Sequence, residues 1–359
     1  MRNDNTEYFV GIDLGDIENK VAILDRDSEE PETDVAENTT SAMNEFFDRF
    51  EEPGKVRVAV ETGTHSPWLS EMLRERGFEV LVGNAHKLRM IWGQDIKDDF
   101  RDAKMLARIA RFDLKLLYPI QHRSRAAQMD LSVLKARDLL VRSRTSMIQF
   151  VRSVVKSSGE RLPSCSSPAF ARTVAEHIPK DLLPATIPCV NMIEELTQEI
   201  GRLDKQIKAL CTDVYGEETE PLRQIQGVGA LTSLAFVLTL EEPSRFAKSR
   251  DVGAFLGLTP KRDQSGESDK PLSITKAGNV YLRWLLVGAA NYILGPFGPD
   301  CELRRYGERI ASRGGKVSKR KAKVAVARKL AVLMHHLWKN HGTYDPFYHA
   351  NTRKLRNAA

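Results

Sequence analysis

The sequence predicts an α/β layer at the N-terminus, a pair of long helices after it, and a mostly α-helical C-terminal region. Three observations carry that expectation. Short apolar runs ending on acids alternate with helical segments over residues 8–82. A long helical stretch spans 123–156, with Asp130 and Asp138 as its only acids. Apolar residues then recur at spacings of three and four from Val190 to Leu210. Strands that alternate with helices imply a largely buried sheet with helices packed on it.

In chain order, residues 8–14 (YFVGIDL) form an apolar run with an acid near its end, which reads as a buried strand. Residues 21–24 read as a second strand. The segment 25–37 holds seven acids and reads as a loop, and 40–50 as a short amphipathic helix. Residues 55–61 (KVRVAVE) are a strand ending on an acid. A helix over 66–76 and a strand over 79–82 follow, and the pattern turns helical again over 99–111. Residues 157–168 are a linker rich in turn formers. The series Val190, Ile193, Leu196, Ile200, Leu203, Ile207 and Leu210 suits a coiled coil between protomers or an antiparallel hairpin against the 123–156 helix. From Pro221 onward, 225–240 is a Gly-x-Gly turn feeding an apolar helix, 251–258 a short helix, and 259–275 polar and turn-rich. Helices over 279–294 and 316–340 complete the chain, the latter basic. The expected division is 1–120, 121–215 and 216–345.

The chain has 359 residues, enough for roughly two domains. Its formal charge of +6 is compatible with a nucleic-acid partner but does not establish one. The distribution says more: residues 313–329 hold eight bases and no acid, a candidate phosphate-contacting block or a solvated helix face. Its cations include Lys319, Arg320, Lys321 and Lys323. The four cysteines form no CxxC pair, so neither a zinc site nor a disulfide framework is indicated. No apolar stretch reaches the ~18 residues of a membrane span, and no signal-peptide core opens the chain. A cytoplasmic protein without a membrane partner is expected.

Three constellations bear on chemistry. Asp13 and Glu61 each end a strand, and ligands of α/β sheets gather outside the carboxyl ends of strands. Asp99 and Asp102 stand three apart on one helical face. Carboxylates brought together repel unless a cation compensates them, and Mg²⁺ is a hard, oxygen-seeking cation. Two such ions can hold the attacking and leaving oxygens of a phosphoryl transfer. Read singly, each acid is equally an ordinary surface or capping residue. The second constellation is Ser265-Gly266 on an expected exposed turn, with Lys276, Asn279 and Arg283 nearby. A serine hydroxyl can attack phosphorus when activated, although Ser-Gly is also a common turn. The third is Gly227-Val228-Gly229 ahead of a helix. It resembles the turn of a helix-hairpin-helix unit, with backbone N–H groups open to a phosphate, and is equally a tight interhelical turn.

Together these segments resemble one family, the DEDD-type insertion-sequence transposases related to the Piv/MooV DNA invertases. The N-terminal match runs through GIDLG, VAVETGTHS and KDDFRDA. The C-terminal match runs through IQGVGALTSLAFVLTL, PSRFAKSRDVGAFLGLTP, Ser265-Gly266 and ITKAGNVYLRWLLV. The resemblance implies a RuvC-like, ribonuclease-H-like N-terminal domain in which Asp13, Glu61, Asp99 and Asp102 bind Mg²⁺, two ions in all. It implies that Ser265 attacks DNA and forms a covalent phosphoserine link. It further implies DNA partners at element ends and target, a homo-oligomer (dimer or tetramer), and, as in some members, a structured guide RNA. Asp98 departs from the family, which often has threonine there; this leaves Asp98 and Asp99 both open as the ligand.

Other readings compete. A structure-selective endonuclease of the Holliday-junction-resolvase kind explains the acids but leaves the serine region without a purpose. An actin-like kinase shares a GIDLG-type first loop, but needs a later Asp-x-Gly-Gly loop. The only Gly-Gly here, Gly314-Gly315, has no acid before it. A non-catalytic nucleic-acid-binding protein has no use for four intact acids.

Overall fold

The computed structural model describes residues 5–85, 87–88, 100–265 and 268–348. The chain divides into two compact units, Met1–Arg123 and Ser124–Ala359.

The first unit is a five-stranded mixed sheet with helices on both faces. Its elements are β1 (Tyr8–Asp13), β2 (Glu18–Asp25), β3 (Glu32–Glu37), α1 (Thr40–Phe47), β4 (Val56–Glu61), α2 (Ser66–Glu75), β5 (Glu79–Gly83) and α3 (Arg101–Phe112). The sheet order is β3-β2-β1-β4-β5. β1, β2 and β3 pair antiparallel; β1, β4 and β5 run parallel. β3 corrects the expected loop over 25–37. Its sequence ETDVAE buries only Ala36, and an edge strand paired on one side tolerates that polarity.

Strand alternation sorts the core. Val10, Ile12, Val21, Val58 and Val60 face Met43 and Phe47 of α1 and Leu69 and Leu73 of α2. Phe9, Ala22, Leu24 and Ala59 face Ala103, Leu106 and Ala107 of α3. Gly11 lies on the α3 side between Phe9 and Asp13. A Cβ there would stand 2.0 Å from the Ala103 carbonyl oxygen and 2.5 Å from the Ala107 nitrogen. The helix backbone therefore rests directly on β1, which no side chain at position 11 permits. Arg57, buried on the same face, fixes the far end of α3. It donates to the Ala110 carbonyl at 3.2 Å and to Glu79 on β5 at 2.9 Å. Because backbone rather than a mobile side chain blocks the space, Gly11→Ala is expected to cost about 3 kcal/mol, the upper end for overpacking. Urea unfolding checks this, and a wild-type midpoint for the variant would refute the close approach.

The second unit is mostly helical. α4 (Arg125–Ser157) opens on Ser124, whose hydroxyl accepts from the Ala127 N–H at 3.2 Å. The short α5 (Phe170–Val174) and the long α6 (Leu183–Ala209) follow. α4 and α6 run antiparallel: Arg137 pairs with Asp204 at 2.9 Å, and about two turns along, Arg144 donates to Thr197 at 3.2 Å. Ile148, Val151 and Val155 then meet Val190 and Ile193. The heptad-like series thus packs within the chain, with Val190, Ile193, Ile200 and Ile207 buried.

The remaining elements are α7 (Gly216–Arg223), α8 (Ala230–Leu240), α9 (Asp251–Phe255), β6 (Pro260–Ser265), β7 (Ser268–Ile274), α10 (Val280–Ile293), α11 (Glu302–Ala311) and α12 (Gly315–Lys339). α8 is buried from Thr232 to Leu240, at the centre of the largest core. Residues 260–274 correct a second expectation. Pro260–Ser265 and Ser268–Ile274 pair as an antiparallel β-ribbon within the segment read as polar and turn-rich. Among the described residues, its two strands pair only with each other. Among the described residues, no helix is long and apolar enough to cross a membrane.

Candidate functional site

Three of the four expected acids come to one end of the first unit. Asp13 ends β1 and Glu61 ends β4, and these strands are parallel neighbours. The last paired residues are Ile12 and Val60, so Asp13 and Glu61 are the next position on each strand. Alternation places both on the α3 side, with Gly11, Arg57 and Ala59. Asp102 is in the first turn of α3, one residue before Ala103, whose carbonyl lies over Gly11. The missing Cβ at Gly11 is thus what lets Asp102 approach Asp13. Burial holds the Asp13 carboxyl above its ordinary value, and the Asp102 charge raises it further. Asp99, with Lys97 and Asp98, lies outside the described residues.

Among the described residues, neither Asp13 nor Asp102 makes an ion pair, and no three acid, histidine or cysteine side chains form a complete metal cage. The donor set nevertheless fits a hard cation. A half-buried carboxylate facing a second carboxylate is costly without compensating positive charge. Lys20, the cross-strand partner of Asp13, is the nearest base by register, and it is engaged with Glu18 at 2.7 Å. Sequence reasoning missed it because its strand neighbour had first to be known.

The loop after Glu61 is fixed by polar contacts that sequence reasoning also missed. The Gly63 N–H donates to the Ser66 hydroxyl at 3.0 Å, and that hydroxyl is 2.9 Å from His122 Nε2. Burial lowers the His122 pKa, with Arg74 and Arg123 adding to the effect, which favours the uncharged ring.

In the second unit, Ser265 is the last residue of β6, opposite Ser268, at the far end of the ribbon. Two of its expected neighbours have other roles. Arg283, read as a phosphate contact, is only 9% exposed. Its guanidinium donates to the carbonyls of Leu256 at 2.9 Å and Ala277 at 2.8 Å. Those residues flank the ribbon on either side, so Arg283 closes its neck. Asn279, also read as a nucleic-acid contact, caps α10: its side-chain oxygen accepts from the Leu282 N–H at 2.9 Å. Lys276 is exposed, with a left-handed backbone (φ 57°).

Gly227 has φ 95°, and a Cβ there would meet the Tyr292 ring at 2.9 Å. Its use is therefore to let the turn sit against α10. Gly229 precedes α8, with open space where a side chain would be. On α12, Lys319, Arg320 and Lys321 are exposed and Lys323 is half-buried; none makes an ion pair among the described residues.

Comparison with known proteins finds two matching regions. A family model described as a transposase, the DEDD type of the IS110 group, matches residues 10–159. A second, the transposase IS116/IS110/IS902 family, matches 219–300. The chain is 28% identical over 210 residues to the transposase for insertion sequence element IS1111A of Coxiella burnetii, covering 55% of each. It is 27% identical to a putative transposase of Sinorhizobium fredii, covering 80% of this chain and 72% of that one. It is 26% identical to the pilin gene-inverting protein of Moraxella bovis, covering 44% of this chain and 48% of that one. The matches thus span about half the length of the Coxiella and Moraxella relatives. An acid-bearing sheet in the first half and a serine-bearing ribbon on a helical core in the second thus fall within two regions, 10–159 and 219–300, that match transposase domains of the IS110 group, and the chain is similar to the pilin gene-inverting proteins.

Proposed function

We propose that this protein is a DNA transposase that cleaves and rejoins strands through a covalent serine–DNA intermediate. The observation that carries the reading is that Asp13 and Glu61 follow the last paired residues of two parallel neighbouring strands, with Asp102 in the first turn of α3 raising the Asp13 pKa. In this reading the first unit is a RuvC-like, ribonuclease-H-like domain, and Asp13, Glu61, Asp99 and Asp102 hold two Mg²⁺ ions. When bound, magnesium supplies Lewis acidity at the scissile phosphate and offsets the repulsion among the acids.

The chain's own residues do the rest. Ser265 Oγ forms a bond to phosphorus, the bond from phosphorus to a sugar oxygen breaks, and the serine proton ends on the released sugar hydroxyl. The phosphoserine ester keeps the bond energy, so rejoining needs no ATP. Arg283 holds the ribbon that carries Ser265. In chain order an acid-bearing segment 1–120, a helical segment 121–215 and a serine-bearing segment 216–345 follow one another. Lys276, Lys319, Arg320, Lys321 and Lys323 supply phosphate contacts. The working particle is a homo-oligomer on element ends and target DNA in the cytoplasm, guided in choice of site by a structured RNA.

Metal removal tests the core of this reading. With purified protein and DNA carrying an element end, EDTA is expected to abolish cleavage and added Mg²⁺ to restore it. DNA retention should change less than about threefold, because phosphate contacts by lysine and arginine need no metal. Cleavage that survives EDTA would overturn the acid-site assignment.

A further inference from the structure

α10 carries a single charge, Arg283, and that charge points inward. Its solvent face is uncharged: Val280, Trp284, Gly288, Asn291 and Tyr292. Trp284 is 62% exposed and Tyr292 45%. The two aromatics stand eight residues apart, two turns or about 12 Å along the axis, with Gly288 midway. A groove of about 500 Å³ runs over this floor, and the turn Gln226–Gly229 forms its other wall. Among the described residues, its lining holds one cation, Arg223, and no acid.

Both aromatics are held in place. Tyr281 stacks on Trp284, with 17° between the ring planes. The Tyr292 ring lies against Gly227, where any Cβ would displace it. Fixed aromatic faces in water, flanking an uncharged floor of Leu285, Gly288 and Ala289 and edged by a cation, match one ligand chemistry closely. Unpaired nucleobases present flat π-faces for stacking and a phosphate for the cation. A duplex keeps those faces stacked inside and offers only its edges and backbone.

We propose that the α10 groove is a binding site for unpaired nucleotides, with Trp284 and Tyr292 as its stacking surfaces and Arg223 at the phosphate. The inference rests on the nucleic-acid reading above and extends it from duplex ends to single-stranded segments. A strand opened during exchange and a loop of a structured RNA share this chemistry.

The test uses the full chain with labelled oligonucleotides of one sequence, as single-stranded DNA, single-stranded RNA and blunt duplex DNA. Trp284→Ala is expected to weaken single-strand binding about 5- to 100-fold, as for loss of one stacked base. Duplex binding should stay within about twofold, and Trp284→Phe should recover most of the loss. Oligonucleotides carrying 5-iodouracil should crosslink to Trp284 or Tyr292 in the wild type. A loss on DNA, on RNA or on both supports the site and names its source. Unchanged single-strand affinity in folded Trp284→Ala, or an equal loss on duplex, overturns it. So does a change in oligomeric state with affinities unaltered, which would make this face a contact between copies. Wild-type protein that binds none of the three probes would instead refute the nucleic-acid reading itself.

Discussion

Asp13→Asn is expected to lower strand cleavage by about 10³-fold, as when a group aimed at transition-state charge is removed, while DNA retention stays near wild type. The substitution is nearly isosteric and removes a charge at the junction of β1, β4 and α3. The same charge is a burden to the fold. Burial and Asp102 both raise the Asp13 pKa above its ordinary value. A carboxyl whose folded pKa lies above its unfolded one costs stability once the pH exceeds the unfolded value. At neutral pH and without metal, Asp13→Asn should therefore melt no lower than the wild type. Loss of activity with preserved or raised thermal stability marks a group kept for chemistry. A variant that melts lower in EDTA, or that loses DNA retention in proportion to cleavage, would mark Asp13 as structural instead.

The sequence made parts of this arrangement readable and hid others for identifiable reasons. β1 and β4 were legible because a buried strand must be apolar and an acid at its end stands out. β3 was not, because an edge strand with one buried residue, Ala36, has the composition of a loop. The strands 260–265 and 268–274 were hidden because their polar composition is that of a loop. Gly11 was visible as part of GIDLG, but its purpose was not: the reason lies in the backbone of α3, some ninety residues away. The packing roles of Arg283 and Asn279 were not legible because residue type reveals neither burial nor helix capping. A guanidinium near a Ser-Gly pair reads as a phosphate contact until the carbonyls of Leu256 and Ala277 are found on it. Trp284 and Tyr292 escaped notice because aromatics in an apolar helix are read as core. Only the packed faces of α10 show that these two point outward.

Ser265→Ala is expected to eliminate strand exchange and the protein–DNA adduct together. The adduct is sought in cells carrying the element's flanking DNA, lysed in denaturant and treated with nuclease. The position makes the comparison clean. Ser265 ends β6, and its pairing with Ser268 uses backbone groups that alanine retains. The neck of the ribbon is closed far from Ser265, by Arg283 and by the Thr275 N–H on the Thr259 carbonyl at 2.9 Å. Loss of the hydroxyl should therefore leave the fold, the acid site and DNA retention unaltered. An adduct in the wild type that vanishes in Ser265→Ala assigns the nucleophile. An adduct that persists in the variant would move the nucleophile to another side chain. Mg²⁺-dependent nicking with no adduct in either protein would make water the attacking group. The acids of the first unit would then suffice for a resolvase-like cleavage, and the ribbon would serve binding alone. The two outcomes separate on energetic grounds: hydrolysis by water releases the phosphodiester energy, whereas the serine ester stores it for the joining step that transposition requires.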